Sequence, residues 1–129
     1  MVILVDTNIL IDYFRQKDKR LTVFNKTFNG NSNRSAAICL TTVSELWSGN
    51  SMEDKNNRAL TEQFLSSIRI VKNNIETAKI TGELMREKKD GISFQDAEIA
   101  ACALYHKLPL LTLNQKDFRK IKGIKLLPI

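Results

Sequence analysis

Four consecutive apolar residues, Val2 to Val5, open the chain and stop at the polar triplet Asp6-Thr7-Asn8. A run without polar alternation predicts a strand that is buried on both faces. Such strands belong to parallel sheets with helices on both sides, in which ligands bind beyond the carboxyl ends of the strands. Asp6 stands at such an end, and its position therefore indicates a site.

Apolar segments of two kinds alternate along the rest of the chain. Short apolar runs predict four further strands, at residues 36–40, 68–71, 110–112 and 124–127. Apolar residues at helical spacing predict the helices between them, at residues 9–14, 41–48, 59–68, 75–88 and 93–106. The pattern predicts an α/β fold with a mostly parallel sheet of about five strands, covered by helices on both faces. A chain of 129 residues suits one domain, residues 1–129.

The two cysteines, Cys39 and Cys102, lie in apolar segments. We interpret them as small buried side chains rather than as a disulfide framework or a zinc site. No apolar run approaches the length of a membrane span, and the apolar start is too short for the core of a signal peptide. We therefore expect a cytoplasmic protein that does not enter a membrane.

Four acidic residues occupy points where an apolar segment gives way to a turn or a helix start: Asp6, Glu45, Asp96 and Asp117. Two carboxylates about 5 Å apart repel by roughly 3 kcal/mol at an effective dielectric of 20. If the four converge, cations or raised pKa values must relieve that repulsion, and ligands that are all oxygen favour Mg²⁺ or Mn²⁺. The chemistry that such an ion supports on a polyanion is phosphodiester hydrolysis.

Helix capping is the alternative explanation for these acids. The spacings Thr42-x-x-Glu45 and Ser93-x-x-Asp96 fit a capping box, and Asn114 could cap a short helix before Asp117. Asp96 fits capping less well. It heads the apolar helix face formed by Ile99, Ala100, Ala103 and Leu104, which would direct it toward Asp6.

The net charge and the count of histidines limit which partners and which kinds of active site the chain can have. The net charge is +6, and basic residues concentrate at residues 15–20, 86–89 and 116–125. These stretches either contact nucleic acid or form solvated surface. His106 is the only histidine, which excludes a two-histidine ribonuclease and a histidine-rich zinc site. We expect His106 to interact favourably with the negative end of the helix dipole at a helix carboxyl end.

Four blocks of sequence resemble, in order, the motifs of PIN-domain ribonucleases, and most closely those of VapC-type toxins. They are Val5-Asp6-Thr7-Asn8, Thr42-Val43-Ser44-Glu45-Leu46 with Gly49, Asp96-Ala97-Glu98-Ile99-Ala100-Ala101, and Thr112-Leu113-Asn114-x-x-Asp117-Phe118. Together they span residues 5–118. Each block is weak by itself, whereas the ordered set is specific.

The resemblance implies an endoribonuclease that depends on Mg²⁺ or Mn²⁺ and leaves a 5′-phosphate and a 3′-hydroxyl. It implies that the metal ligands are Asp6, Glu45 and Asp96, with Asp117 completing the acidic quartet or orienting water. Hydrogen bonds from Asn8, Thr112 and Asn114 would support them. As a toxin, the protein would inhibit translation by cleaving RNA.

The resemblance also implies a homodimer and a small antitoxin partner. Tyr13, Phe14 and Trp47 either line a hydrophobic antitoxin groove or belong to the core. The sequence departs from the family pattern at two places: Leu113 stands where many relatives have a polar or basic residue, and Glu98 adds an acid that we expect to face solvent.

Two other functions remain open at the level of sequence. One is a PIN nuclease with a housekeeping role in RNA processing, and a neighbouring antitoxin gene would distinguish it from a toxin. The other is a catalytically silent nucleic-acid-binding module. The four acids argue against a binding module, because they would repel phosphate.

Overall fold

Four short parallel strands form the centre of the structure, a computed structural model that describes residues 1–87 and 91–129. The strands are β1 (Val2–Val5), β2 (Ser35–Cys39), β3 (Arg69–Val71) and β4 (Leu110–Leu111). They lie in the order β3-β2-β1-β4, and each neighbouring pair is parallel. The predicted fifth strand, at residues 124–127, contributes one parallel bridge from Leu126 to Leu110.

The α-helices of the described residues are α1 (Thr7–Arg15), α2 (Val23–Phe28), α3 (Leu40–Trp47), α4 (Lys55–Ser67), α5 (Ile75–Glu87), α6 (Phe94–His106) and α7 (Gln115–Phe118), of which α7 follows β4. Helix α4 begins four residues earlier than predicted because the Asp54 side chain caps it, accepting a hydrogen bond from the Asn57 backbone amide. The predicted end of α5 at Lys88 and the turn at Asp90 lie outside the described residues.

Both faces of the sheet are buried at β1, as the unbroken apolar run of that strand predicts, whereas the edge strand β3 is more exposed. Ile3 and Val5 pack with Ile9 of α1 on one face, in a core cluster that also includes residues of α3 and α4. Leu4 points to the other face and packs with Ile99 of α6. The α/β fold with helices on both faces of a parallel sheet is therefore confirmed.

Two backbone hydrogen bonds align the carboxyl ends of β1 and β4. The Leu4 amide donates to the carbonyl of Pro109, and the Asp6 amide donates to the carbonyl of Leu111, each across 2.9 Å. Before β4, helix α6 ends where Lys107 adopts a left-handed conformation, with φ of 56°. The chain can then turn back toward β4, and Asp6 and Thr112 emerge side by side.

Cys39 and Cys102 are both free and fully buried, as predicted. No helix in the described part of the chain is long and apolar enough to cross a membrane.

Candidate active site

Asp6 lies at the carboxyl end of β1 and is the N-cap of α1. Its Oδ1 accepts a hydrogen bond from the Thr7 amide at 2.7 Å, and its Oδ2 accepts one from the Thr112 hydroxyl at 2.6 Å. The residue is only 3% exposed. Burial raises the pKa of Asp6 to about 7, and the charges of Asp96 and Glu45 add to this effect, while the two hydrogen bonds oppose it.

Thr112 joins three of the predicted site residues. Its Oγ1 accepts hydrogen bonds from the backbone amide of Asn114 at 2.9 Å and from Asn8 Nδ2 at 3.4 Å, in addition to donating to Asp6. Asn8 Oδ1 in turn accepts from the Leu113 amide at 3.2 Å. Asn8, Thr112 and Asn114 therefore connect α1 to the segment after β4 and position the Asp6 carboxylate.

Glu45 projects from α3 toward the start of α1. Its Oε1 accepts a hydrogen bond from the Thr7 hydroxyl at 2.7 Å. The capping alternative is wrong for this residue, because α3 begins at Leu40 and Thr42 therefore lies within the helix. Thr7 was not among the predicted site residues. Its position directly after Asp6, in the same polar triplet, was the signal that could have identified it.

Asp96 lies in the first turn of α6. The Ser93 hydroxyl caps this helix and accepts a hydrogen bond from the backbone amide of Asp96 at 3.0 Å. This is one of the two hydrogen bonds of the predicted capping box. Burial raises the pKa of the Asp96 carboxyl, and the charges of Glu45 and Asp117 raise it further, against a hydrogen bond with Ser93. Its carboxylate thus experiences the charges of two other predicted site acids.

Asp117 lies in α7, and its Oδ2 accepts a hydrogen bond from Asn114 Nδ2 at 3.0 Å. Asn114 occupies the N-cap position of α7 but makes no cap hydrogen bond with its side chain. The capping alternative is therefore wrong for Asn114, whose amide holds the Asp117 carboxylate instead.

The four predicted acids come from four separate segments and influence one another electrostatically. Asp6 experiences Asp96 and Glu45, and Asp96 experiences Glu45 and Asp117. Among residues 1–87 and 91–129, however, no three acidic, histidine or cysteine side chains lie close enough to form a ready metal cluster. Adjacent carboxylates repel, and hydroxyl or amide donors of the chain hold Asp6, Glu45 and Asp117. The donor set consists of carboxylate oxygens, which suits a hard divalent cation.

Glu98 reaches solvent, but only through a depression in the surface, so the expectation that it faces solvent is correct in part. It is half-buried and lines a surface depression together with Glu45. Burial raises its pKa, a hydrogen bond with the Thr41 side chain opposes that shift, and the charge of Glu45 adds to it. Glu98 is two residues after Asp96, which turns its side chain to another face of α6.

A sequence model of the PIN domain matches residues 3–124. The chain belongs to the PIN domain family. The predicted resemblance to this family is confirmed. A comparison with curated proteins found no match.

This PIN domain is also similar to chains in solved toxin–antitoxin complexes. A chain of VapBC2 from Rickettsia felis, bound to a DNA fragment of its promoter, is 25% identical, with 98% of each chain covered and a TM-score of 0.81. A chain of a toxin–antitoxin complex from Klebsiella pneumoniae is 31% identical, with 95% of this chain and 94% of that chain covered and a TM-score of 0.74. A chain of DNA-bound VapBC from Salmonella typhimurium is 26% identical, with 98% of each covered and a TM-score of 0.77.

Proposed function

We propose that this PIN domain is a cytoplasmic endoribonuclease that hydrolyses RNA phosphodiester bonds with Mg²⁺ or Mn²⁺, and that it is the toxin of a type II toxin–antitoxin pair that inhibits translation. The observation that carries the proposal is the coupling of the acids at the carboxyl ends of β1 and β4. Thr7 contacts both Asp6 and Glu45, and Thr112 links Asp6 to Asn114, which holds Asp117. A module that only binds nucleic acid would gain nothing from such coupling, because carboxylates repel phosphate.

The residues proposed to hold the metal are Asp6, Glu45 and Asp96, with Asp117 completing the acidic set. The ion would act as a Lewis acid that activates water and offsets negative charge on the phosphodiester. Thr112 and Thr7 fix the carboxylates of Asp6 and Glu45 by short hydrogen bonds. Asn114 does the same for Asp117. Such outer hydrogen bonds orient ligands and keep their lone pairs directed into a site.

Exposed basic side chains next to the acids supply the attraction for RNA. If the four site acids are set aside, 20 basic residues face 10 acidic ones in the remainder of the chain. Five exposed basic residues lie on α7 and the segment that follows it: Lys116, Arg119, Lys120, Lys122 and Lys125. We infer that they contact the phosphates on either side of the bond that is cleaved.

A groove of about 500 Å³ that combines aromatic and basic side chains supports the antitoxin partner. Phe24 and Phe28 of α2 line it with Phe64 and Ile68, and Arg34 and Arg69 flank them. Tyr13 and Phe14 pack against Phe24 and Phe64 in the adjoining aromatic cluster, whereas Trp47 is not among the groove residues. We propose that a small antitoxin covers this groove, as expected for a relative of the VapBC complexes, and that the toxin is a homodimer.

Cleavage of a mixed cellular RNA pool tests the enzyme. Purified protein is incubated with Mn²⁺, with EDTA, and with Mn²⁺ after Asp96→Asn substitution. We expect discrete fragments that require both the metal and Asp96, with 5′-phosphate ends that identify the target RNA. Intact RNA under every condition, from folded protein free of antitoxin, would favour the binding module.

A further inference from the structure

A surface depression of about 410 Å³, whose lining residues are mostly of polar types, lies beside Glu45, between α3, the loop after β3 and the start of α6. Its lining includes Thr41, Glu45, Asn73, Gln95 and Glu98. This volume falls within the roughly 300–1,000 Å³ range of small-ligand sites. Except for Glu45, none of these residues has a role in the proposed hydrolysis.

Asn73 presents a side chain amide whose orientation is already determined. Its Nδ2 donates to the Thr41 hydroxyl at 3.3 Å, and its Oδ1 accepts from Cys102 Sγ at 3.3 Å. The preceding carbonyl, that of Lys72, lies 3.0 Å from Nε2 of His106, which ties the loop to the end of α6. Among the contacts of residues 1–87 and 91–129, the amide therefore retains one free donor and one free acceptor position, at low conformational cost.

Glu98 makes the depression a site for hydrogen-bond donors. An ionised carboxylate only accepts hydrogen bonds, and Glu45 adds a second negative group to the lining. A phosphate inside the depression would be repelled by the Glu98 carboxylate. A neutral planar group with adjacent N–H donors satisfies Glu98, and its acceptors can pair with the amides of Asn73 and Gln95.

We propose that this depression binds an unpaired base of the RNA substrate, next to the bond that is cleaved, and that it prefers guanine. Guanine presents two adjacent donors, N1–H and the N2 amino group, that match the Glu98 carboxylate, and its O6 accepts from an amide. Uracil fits worst, since two carbonyl acceptors flank its one N–H donor. The inference rests on the proposed nuclease function, because the proximity of Glu45 places the base beside the scissile phosphate.

Sequencing of the cleavage ends tests whether the depression selects guanine. Unstructured RNA with random bases is cut with Mn²⁺ by the wild type, by Glu98→Gln, by Gln95→Ala and by Asp96→Asn. We expect guanine at one position flanking the wild-type cut to be favoured over uracil by about 10- to 100-fold. Glu98→Gln should reduce that preference about tenfold, and Gln95→Ala, a change at an exposed residue, should also reduce it. The matched control Glu62→Gln, at an exposed position of α4, should keep the wild-type preference.

The outcomes separate the two proposals. Cuts that need Mn²⁺ and Asp96 but show no preference for guanine would overturn the base site and leave the nuclease intact. A guanine preference unchanged in both Glu98→Gln and Gln95→Ala would do the same. Absence of metal-dependent cutting by the wild type would overturn the nuclease and the base site together.

Discussion

The hydroxyl of Thr112 donates a hydrogen bond to Asp6 Oδ2 across 2.6 Å, and so connects two residues that are 106 positions apart in the chain. The same oxygen accepts from the Asn114 amide and from Asn8 Nδ2. One buried hydroxyl thus holds the ends of β1 and β4 and the start of α7 in one arrangement.

Replacing Thr112 by valine should destabilise the fold by about 1–3 kcal/mol, because it leaves the buried Asp6 oxygen and the Asn114 amide without their partner. Urea unfolding at pH 8 measures the effect. Thr81→Val is the control, since among the described residues the Thr81 hydroxyl bonds only to the Thr77 carbonyl of its own helix. Equal losses in the two variants would show that Thr112 has no special role.

The raised pKa of Asp6 predicts how stability changes with pH. Because the folded-state pKa is about 7 and the ordinary value is 3.8, the folded protein holds this proton more tightly. The wild type therefore loses stability as pH rises from about 4 to 7. Asp6→Asn removes that loss. The free energy of unfolding of the variant, relative to that of the wild type, should therefore be about 2–3 kcal/mol higher at pH 8 than at pH 5. Denaturant unfolding at both pH values checks this, with the exposed Glu62→Gln as control. A constant difference between pH 5 and pH 8 would contradict the burial of a charged Asp6.

Divalent metal should raise the melting temperature. At 100 times its dissociation constant, Mn²⁺ would stabilise the fold by about 2.7 kcal/mol. The increase should be greater at pH 8 than at pH 6, because Asp6 must lose its proton to bind the ion. Thermal melts with Mn²⁺ or EDTA measure it for the wild type, Asp6→Asn and Asp96→Asn. Both substitutions should diminish the increase; if the wild type shows none, the four acids do not form a shared metal site.

Thr7 is expected to position Glu45. Thr7→Val keeps the size of the side chain but removes the hydroxyl that bonds Glu45 Oε1. We expect cleavage at limiting Mn²⁺ to fall by about 10-fold or more, with partial recovery at high Mn²⁺, since outer hydrogen bonds of metal ligands contribute on this scale. Thr7→Ser retains the hydroxyl and should cleave nearly as well as the wild type. Equal activity of the valine and serine variants would exclude this role.

The sequence predicted most of the elements because their signals are local. The apolar run of β1 and the helical spacing in α1 each reflect neighbours within a few residues, and both elements form close to the predicted positions. Helix α2 escaped prediction because six residues, Val23 to Phe28, are too few to show a clear helical period. Its stability depends on the aromatic contacts of Phe24 with Tyr13 and Phe64.

The sequence alone determined the fold class and the acids placed at the carboxyl ends of strands, because alternation between buried strands and helices specifies a parallel sheet. Only the tertiary structure decided which side chains meet. The Thr7–Glu45 hydrogen bond joins residues 38 positions apart, and the same packing places Glu98 in a surface depression beside Glu45. Such contacts depend on how each helix is rotated and placed against the sheet, which follows from packing of the whole core rather than from any local pattern.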